Sequence, residues 1–568
     1  MKKNEPRRFL QLDEVVHWIF AHNGNNVRMA TPLGLGKPNP LLNKIYLSAK
    51  SDSNKSLKIF TALSLGLPKG QSDIEKRFLG PFVERIYGSN YPELQYLLDL
   101  AKNAVPEHIE IQEFYLQAGG HLRSEHLQAH YASLNYTHVA RSLCREGVNV
   151  IVQMIASRQV GDEEQFSLSC NPDLTLDLVD AISQAGRKVC VIGVVHPDLP
   201  FMEGDAHVPG DFFEAIVSSP ENSHTLFSLP RTPIQLQDHW IGFWGSQLLQ
   251  DNGTLQIGIG SLAEALVSSV LFRHQKNSEY QRITSELWRK PKFNSLLKSN
   301  FFTQGGRNLE FGPFTQGLYG TSEMVMDGFM HLRRAGILKR EVADVDRNHR
   351  RYLHGAFFLG SPEFYQYLRN LSPTERAGIG MTRVSKVNDL YDENELALRR
   401  QRQRARFFNT TMQATILGGA ASDTLPTGPV VSGVGGQYNF VAMAQELEDS
   451  MSVLMLRSQR MQHGRPISNV VTGHPHLTIP RHLRDVFVTE YGIAVTQGAS
   501  EEQTALAMIQ IADVKFQDLL LKWARDGKKI RAHVRLPREA QDNTIENLRR
   551  RTKEFGLHHL FQPYPFGS

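Results

Sequence analysis

One unit recurs along this chain: a short β-branched run, a glycine, then a segment whose apolar residues fall at helical spacing. Val27–Ala30 leads into TPLGLGKPN and an amphipathic Pro40–Ser48, and Leu57–Leu63 ends at the glycine turn GLPKG. Val148–Ile155 and Lys188–Val195 are continuous apolar runs, the kind that lie inside parallel sheets with both faces covered. The pattern resumes at Leu255–Ile259, Pro429–Gly433, Val453–Leu456 and Val486–Thr489. Such alternation restricts the fold to α/β layers. With 568 residues the chain exceeds one ordinary domain. Ser218–Asp238 is rich in Ser, Pro and polar residues and lacks periodicity, which places a boundary near Pro230. The expected architecture is two tandem open α/β domains, residues 1–229 and 230–568, with carboxyl-end loops facing a shared cleft.

Composition narrows the class. Hydrophobic residues are 41% and charged residues 21%, the balance of a soluble globular protein. A mean hydropathy of −0.33 and the lack of an apolar stretch near twenty residues argue against a membrane-spanning helix. The basic start MKKNEPRRFL is followed by charges where a signal peptide needs an apolar region, so a cytoplasmic location is expected. Three cysteines, none in a C-x-x-C pair, provide neither a disulfide framework nor a zinc ribbon. The net charge of +5 is local: from Lys522 onward eleven Lys and Arg face five Asp and Glu, leaving the rest of the chain near neutral. The tail reads as a solvated helix with scattered charge, or as a patch for an anionic ligand.

Three segments carry candidate chemistry. In Thr254–Val270 a strand meets Gly258-Ile259-Gly260, and Ser261 can cap a helix with Leu262, Ala265, Leu266 and Val270 on one face. Read as G-x-G-x-x-A this resembles a dinucleotide fingerprint, but no acidic strand end follows about 20 residues on; a tight strand–helix turn without a ligand is the other reading. In Pro429–Leu447 a strand meets Gly433, Gly435 and Gly436 before a second helix. Two such loops could supply converging N–H donors for an oxyanion. Between them, GTSEMVMDGFMHLRRAGIL is expected to form a helix capped by Thr321 or Ser322, with Glu323 in its first turn. An acid there complements the helix dipole, or serves as a covalent nucleophile. No P-loop and no G-x-S-x-G elbow occur. His474 with His476, and His121 with His126, lack a metalloprotease pattern, so no metal is expected.

GTLQIGIGSLAEAL, GTSEMVMDGFMHL, VVSGVGGQYNF and VFVTEYGIA occur in that order, with weaker matches at FTALSLGLPKG, NYTHVA, FSLSCNPDL and VIGVVHPDLPFMEGDAHV. Together they resemble the acetyl-CoA hydrolase/transferase family of class I CoA-transferases. The resemblance implies two open α/β domains of the CoA-transferase type with the active site at their interface. It implies Glu323 as nucleophile, although Ser322 stands where the family has threonine. It implies backbone amides of Ile259 and of Gly435 or Gly436 as oxyanion donors, with Gly258, Gly260, Gly433 and Gln437 in the loops that meet acyl-CoA. Asn388 in VSKVNDLY matches the asparagine that places the acyl group, and Glu490 in VTEYG matches a glutamate that positions the nucleophile or its ligands. Tyr438 and Asn439 replace the usual residues of GGQVDF, and TMQATILGGAASDTL replaces a hydrophobic-Asp-Leu strand; both put the substrate in question more than the chemistry.

The activity so implied is acyl-CoA:carboxylate CoA transfer, from acetyl-CoA or a similar short acyl-CoA to acetate or succinate, through a glutamyl-CoA thioester. Acetyl-CoA hydrolysis at the same site and non-catalytic binding of CoA or a nucleotide are the alternatives. Coenzyme A enters as substrate, and no separate cofactor is expected. The expected partners are an acyl-CoA, a small carboxylate and a second copy of the chain in a homodimer, with neither membrane nor nucleic acid among them.

Overall fold

Two parallel sheets organise the chain in the computed structural model, which describes residues 5–68, 73–230, 232–291, 296, 299–303, 307–344 and 349–557. In the first, strands β1 (Arg7–Phe9), β2 (Asn26–Ala30), β3 (Ser56–Thr61), β4 (Ile109–Glu113), β5 (Val150–Val160), β6 (Cys190–Val195) and β7 (Ala215–Val217) lie in the order β1-β7-β6-β5-β2-β3-β4. All of these pair in parallel. Two short antiparallel strands, Glu163–Ser167 and His207–Val208, extend the sheet from the far end of β5.

The second sheet contains β8 (Thr254–Ile257), β9 (Tyr319–Val325), β10 (Leu353–Phe358), β11 (Ile379–Met381), β12 (Ala405–Thr410), β13 (Met451–Met455), β14 (Val486–Thr489) and β15 (Gly492–Val495). Their order is β11-β10-β9-β8-β12-β13-β14-β15, parallel except for the final β14–β15 hairpin. In both sheets the chain winds outward from a central pair, β2 with β5 and β8 with β12. Loops leaving neighbouring carboxyl ends diverge there, which opens a crevice.

Side-chain alternation along these strands builds three buried layers. Ile151 faces a large central cluster shared with Phe357, Phe408, Trp244 and Leu266 of the second half. Its neighbours Val150 and Val152 face the opposite side, under Ile19 and Ile45. In β14, Phe487 packs outward with Met508 and Leu520, while Val486 and Val488 join the central cluster. The two halves thus bury apolar surface against each other in one continuous core.

Several expected elements differ. Glu323 belongs to a strand and not to a helix: β9 runs without a break through YGTSEMV, and the helix starts only at Asp327. The reason is pairing, since β9 makes ladders to β8 on one side and β10 on the other, from Gly320↔Leu353 to Val325↔Phe358. Ser322 is fully buried and its hydroxyl donates to the Ile257 carbonyl at 3.1 Å, tying strand to strand instead of capping a helix. Pro429–Gly433 forms no strand. The GLPKG turn after β3 falls partly outside the described residues. The basic tail is not a solvated appendage either. Its helix Ile545–Glu554 buries Leu548, Phe555 follows it onto Trp240, and the Trp240 indole donates to Thr552 at 2.9 Å. Residues 558–568 of that tail lie outside the described residues.

Candidate active site

A cavity of about 300 Å³ opens where the carboxyl ends of both sheets converge. Leu33 and Leu63 follow β2 and β3, Phe114 and Tyr115 follow β4, Gly258 and Ile259 follow β8, and Glu323 with Met324 ends β9. Asn409 and Thr410 close β12, and the loop Ser432–Gly436 completes the wall. The crevice expected at the strand-order reversals is therefore lined by both halves.

Glu323 lines this cavity. Asn388, the last residue of the short helix Val384–Asn388, donates its side-chain amide to Glu323 Oε2 at 2.5 Å. Gly436 lies against the same carboxylate: a Cβ built there would come 2.9 Å from Glu323 Cδ and overlap both the carboxylate oxygen and the Asn388 amide nitrogen. Only glycine allows this approach. Burial raises the Glu323 carboxyl to about 7; the Asn388 hydrogen bond opposes that rise and the Asp173 charge adds to it. Asp173 is itself buried, raised to about 6 by burial, and accepts a hydrogen bond from the hydroxyl of Tyr136, which lines the cavity.

The two glycine loops differ in how they are held. Gly258 donates its N–H to Phe408 O at 2.9 Å and so continues the sheet, whereas the Ile259 amide has no hydrogen-bond partner among the described residues. Gly260 turns the chain at a φ of 96° into the helix Ser261–Gln275. The second loop is held across the interface. Leu116 and Gly119 donate backbone N–H groups to Ser432 O and Val431 O at 3.3 and 2.8 Å, and Tyr136 N donates to Gly435 O at 3.1 Å. Gln128 brackets Val430 with two bonds, of 2.9 and 2.8 Å. Gly435 is paired with Asn135 in a backbone bridge at a φ of 57°, and of the two glycines Gly436 is the one packed against the Glu323 carboxylate. Gln437 lines the cavity while its side-chain nitrogen is held by Thr410 O at 2.8 Å; its side-chain oxygen is buried without a partner.

The structure thus brings Glu323, Asn388, Gly258, Ile259, Gly433, Gly435, Gly436 and Gln437 around one space, with Gly260 at the neighbouring helix start. Glu490 is elsewhere. Its buried carboxylate is held by the Ser458 amide and hydroxyl at 2.9 and 2.8 Å, its carbonyl takes the Trp244 indole, and it is absent from the cavity lining. It fixes the β14–β15 turn and does not touch Glu323. Tyr438 and Asn439 also leave the cavity: Tyr438 packs on the outer cluster, and Asn439 donates to Thr137 at 2.9 Å, linking the loop to the NYTHVA segment. Phe114 and Tyr115, in EIQEFYLQAGGHL, carry no motif of their own; the alternation Ile109, Ile111, Glu113, all buried, is the strand signal that leads to them. Among the described residues no group of three or more His, Cys, Asp or Glu is placed to hold a metal ion, and no helix is long and apolar enough to cross a membrane.

Residues 360–524 match the model of the acetyl-CoA hydrolase/transferase C-terminal domain, a span that includes Asn388 and the second glycine loop. The chain is 23% identical over 374 residues to 4-hydroxybutyrate coenzyme A transferase of Clostridium kluyveri, which covers 65% of this chain and 71% of that one. It is also 23% identical over 437 residues to succinyl-CoA:cyclohexane-1-carboxylate CoA transferase of Geobacter metallireducens, covering 74% and 82%. In fold it resembles RipA from Yersinia pestis (TM-score 0.63, 18% identity, 89% of this chain and 94% of that one). It likewise resembles 4-hydroxybutyrate CoA-transferase from Porphyromonas gingivalis (TM-score 0.57, 17% identity, 92% and 98%). Sequence motifs, paired α/β sheets and these relatives agree: residues 360–524 match the acetyl-CoA hydrolase/transferase C-terminal domain, and the chain as a whole is similar to CoA-transferase enzymes.

Proposed function

We propose that this enzyme transfers coenzyme A from an acyl-CoA to a free carboxylate through a covalent adduct on Glu323. The observation that supports it is one carboxylate at a strand end, held between the Asn388 amide and the Gly436 backbone, inside a cavity closed by both halves.

The ionised Glu323 oxygen attacks the thioester carbonyl carbon, and charge builds on the carbonyl oxygen. The partnerless amides of Ile259 and Gly436 are the donors for that oxygen, each worth about 2.7–4 kcal/mol of transition-state stabilisation. The C–S bond breaks, CoA leaves as thiolate, and a mixed anhydride remains. The thiolate then attacks the Glu323 carbonyl carbon, the anhydride C–O bond breaks, and the acyl group departs as its carboxylate. A glutamyl-CoA thioester results. The acceptor carboxylate reverses the sequence, takes the CoA, and restores free Glu323. Asn388 holds the side chain in line at each return. Burial keeps the carboxylate poorly solvated and reactive, at the cost of a pKa near the working pH.

The test is mass spectrometry of the protein after incubation with acyl-CoA alone. A CoA adduct on the Glu323 peptide, discharged by an added carboxylate with ping-pong kinetics, is expected. Full turnover by Glu323→Ala would refute the scheme. Thioester loss at the same rate with no carboxylate present would reassign the enzyme to hydrolysis.

A further inference from the structure

The lining of the cavity defines what accompanies the reacting carboxyl group. Leu33, Leu63, Phe114, Tyr115, Phe357 and Phe440 give it a mainly apolar wall, with the uncharged polar side chains of Gln256, Asn409, Thr410, Ser422, Ser432 and Gln437 on the remainder. Phe114, Tyr136 and Phe357 make a joined aromatic surface, with ring centroids 5.7 and 6.2 Å apart in succession. Tyr136 contributes its ring, since its hydroxyl is turned to Asp173. No Arg, Lys or His is found among the described residues that line the space. Lys37 is buried nearby, but its ammonium is directed to the carbonyls of Ala62 and Leu63 and it is absent from the lining.

We infer that the acyl group handled here is an apolar monocarboxylic one of about four to eight carbons, and that dicarboxylic acyl groups such as succinyl are rejected. This rests on the transferase reading of the same site. Size supports the first part: an apolar cavity of about 150 Å³ holds a six-carbon benzene ring. The space beside Glu323, about 300 Å³, accommodates such a group together with the thioester end. An acetyl group would leave most of the aromatic wall facing nothing. Electrostatics supports the second part. A succinyl chain would bring a second carboxylate into an apolar space beside Glu323 and near Asp173, with no cation in the lining to offset it, and an unpaired buried charge is strongly disfavoured.

The experiment compares acetyl-, butyryl-, hexanoyl-, octanoyl- and succinyl-CoA as donors to the wild-type protein, with the rate of Glu323–CoA adduct formation as readout. Each methylene covered by the wall raises kcat/KM about fourfold, equivalent to about 0.8 kcal/mol. Hexanoyl-CoA is therefore expected to exceed acetyl-CoA by at least about tenfold, and butyryl-CoA to exceed succinyl-CoA by about a hundredfold. Leu229→Arg, at a half-buried wall position on the connector between the halves, supplies the missing cation and should raise succinyl-CoA relative to butyryl-CoA by about tenfold. If adducts form but acetyl- or succinyl-CoA is preferred by the wild type, the inference on the acyl group is overturned while the transferase reading stands. If no acyl-CoA gives an adduct, the transferase reading fails and this inference with it.

Discussion

Gly436→Ala places the smallest side chain at the point where backbone meets the Glu323 carboxylate, the proposed nucleophile. Its new Cβ would lie 2.9 Å from Glu323 Cδ and closer still to the carboxylate oxygen and the Asn388 amide, inside the 3.0 Å that real Cβ contacts respect. Backbone strain is not the issue. Gly436 has φ −95° and ψ 6° at the N-cap of the helix Gln437–Glu446, values that alanine adopts. Losing glycine at an N-cap costs about 1 kcal/mol, and the smaller conformational freedom of unfolded alanine returns about 0.4–1 kcal/mol. The fold should hold. What must give is the end of a flexible side chain, so the carboxylate retreats by roughly 1 Å, a misplacement that lowers reaction rates about a hundredfold. That corresponds to about 2.7 kcal/mol of barrier. The assay is single-turnover formation of the Glu323–CoA adduct, paired with a melting curve. A Tm close to wild type with adduct formation slowed about a hundredfold is expected. A variant with wild-type Tm and adduct formation within threefold of wild type would refute the placement of Gly436 against the nucleophile. Gly433→Ala is the contrast, because its Cβ would meet the Phe114 carbonyl at 2.8 Å, and rigid backbone there should lower Tm first.

Other consequences follow from the same groups. Because attack requires ionised Glu323, raised by burial to about 7, the rate of adduct formation should rise with pH and level off above pH 7; Asn388→Ala removes the bond that opposes the rise and should move this limb to higher pH in a pH–rate profile. The raised carboxyl also lowers stability with pH: unfolded glutamate loses its proton near its ordinary value of 4.5, so the unfolded state binds fewer protons between there and about 7, and stability falls across that window. Glu323→Gln should therefore be more stable than wild type at pH 8 by about 1–3 kcal/mol and nearly equal at pH 4, as read by denaturant melts. Arg457 meets the fully buried Asp238 through two nitrogens at 2.6 and 2.7 Å, and Arg457→Ala, which leaves that charge unpaired, should cost about 3–5 kcal/mol in the same melts.

Much of this site is legible from local pattern. Val27–Ala30, Val148–Ile155, Leu255–Ile259 and Val486–Thr489 announce parallel strands through β-branched runs and following glycines, and each coincides with a strand here. The three site segments were visible because glycine and a carboxylate recur where strands end. What escaped was set by partners distant in sequence. YGTSEMVMDGF carries a plausible N-cap and helical spacing, yet the ladders to Thr254–Ile257 and Leu353–Phe358 impose strand as far as Val325. Pro429–Gly433 has strand composition but divides its hydrogen bonds between a short local pairing with Asp423–Leu425 and the distant Gln128, Leu116 and Gly119, and the distant partners are not visible in any local pattern. The VTEYG resemblance put Glu490 near the nucleophile, whereas the Ser458 hydroxyl and amide take its carboxylate.

The division of labour between the halves explains why neither sheet alone makes a site. The second half supplies Glu323, its Asn388 partner and both glycine loops, but the Val431–Gly436 loop has no strand of its own to hold it. Its carbonyls at Val431, Ser432 and Gly435 are taken by N–H groups of Gly119, Leu116 and Tyr136, all from the first half. Asn439 adds a side-chain link to Thr137 from the following helix. The position of the Gly436 amide relative to Glu323 is therefore set from both halves, since Asp423 O of the second half takes the Val431 and Ser432 N–H groups. Tyr136 serves both ends of this arrangement: its backbone fixes Gly435, its ring walls the cavity, and its hydroxyl holds Asp173, whose charge is felt by Glu323. A shift of the first half relative to the second would displace the proposed oxyanion donor, the acyl wall and the carboxylate field together. Since the interface is a continuous apolar core and not a hinge, that coupling keeps the three aligned at rest, before any substrate arrives.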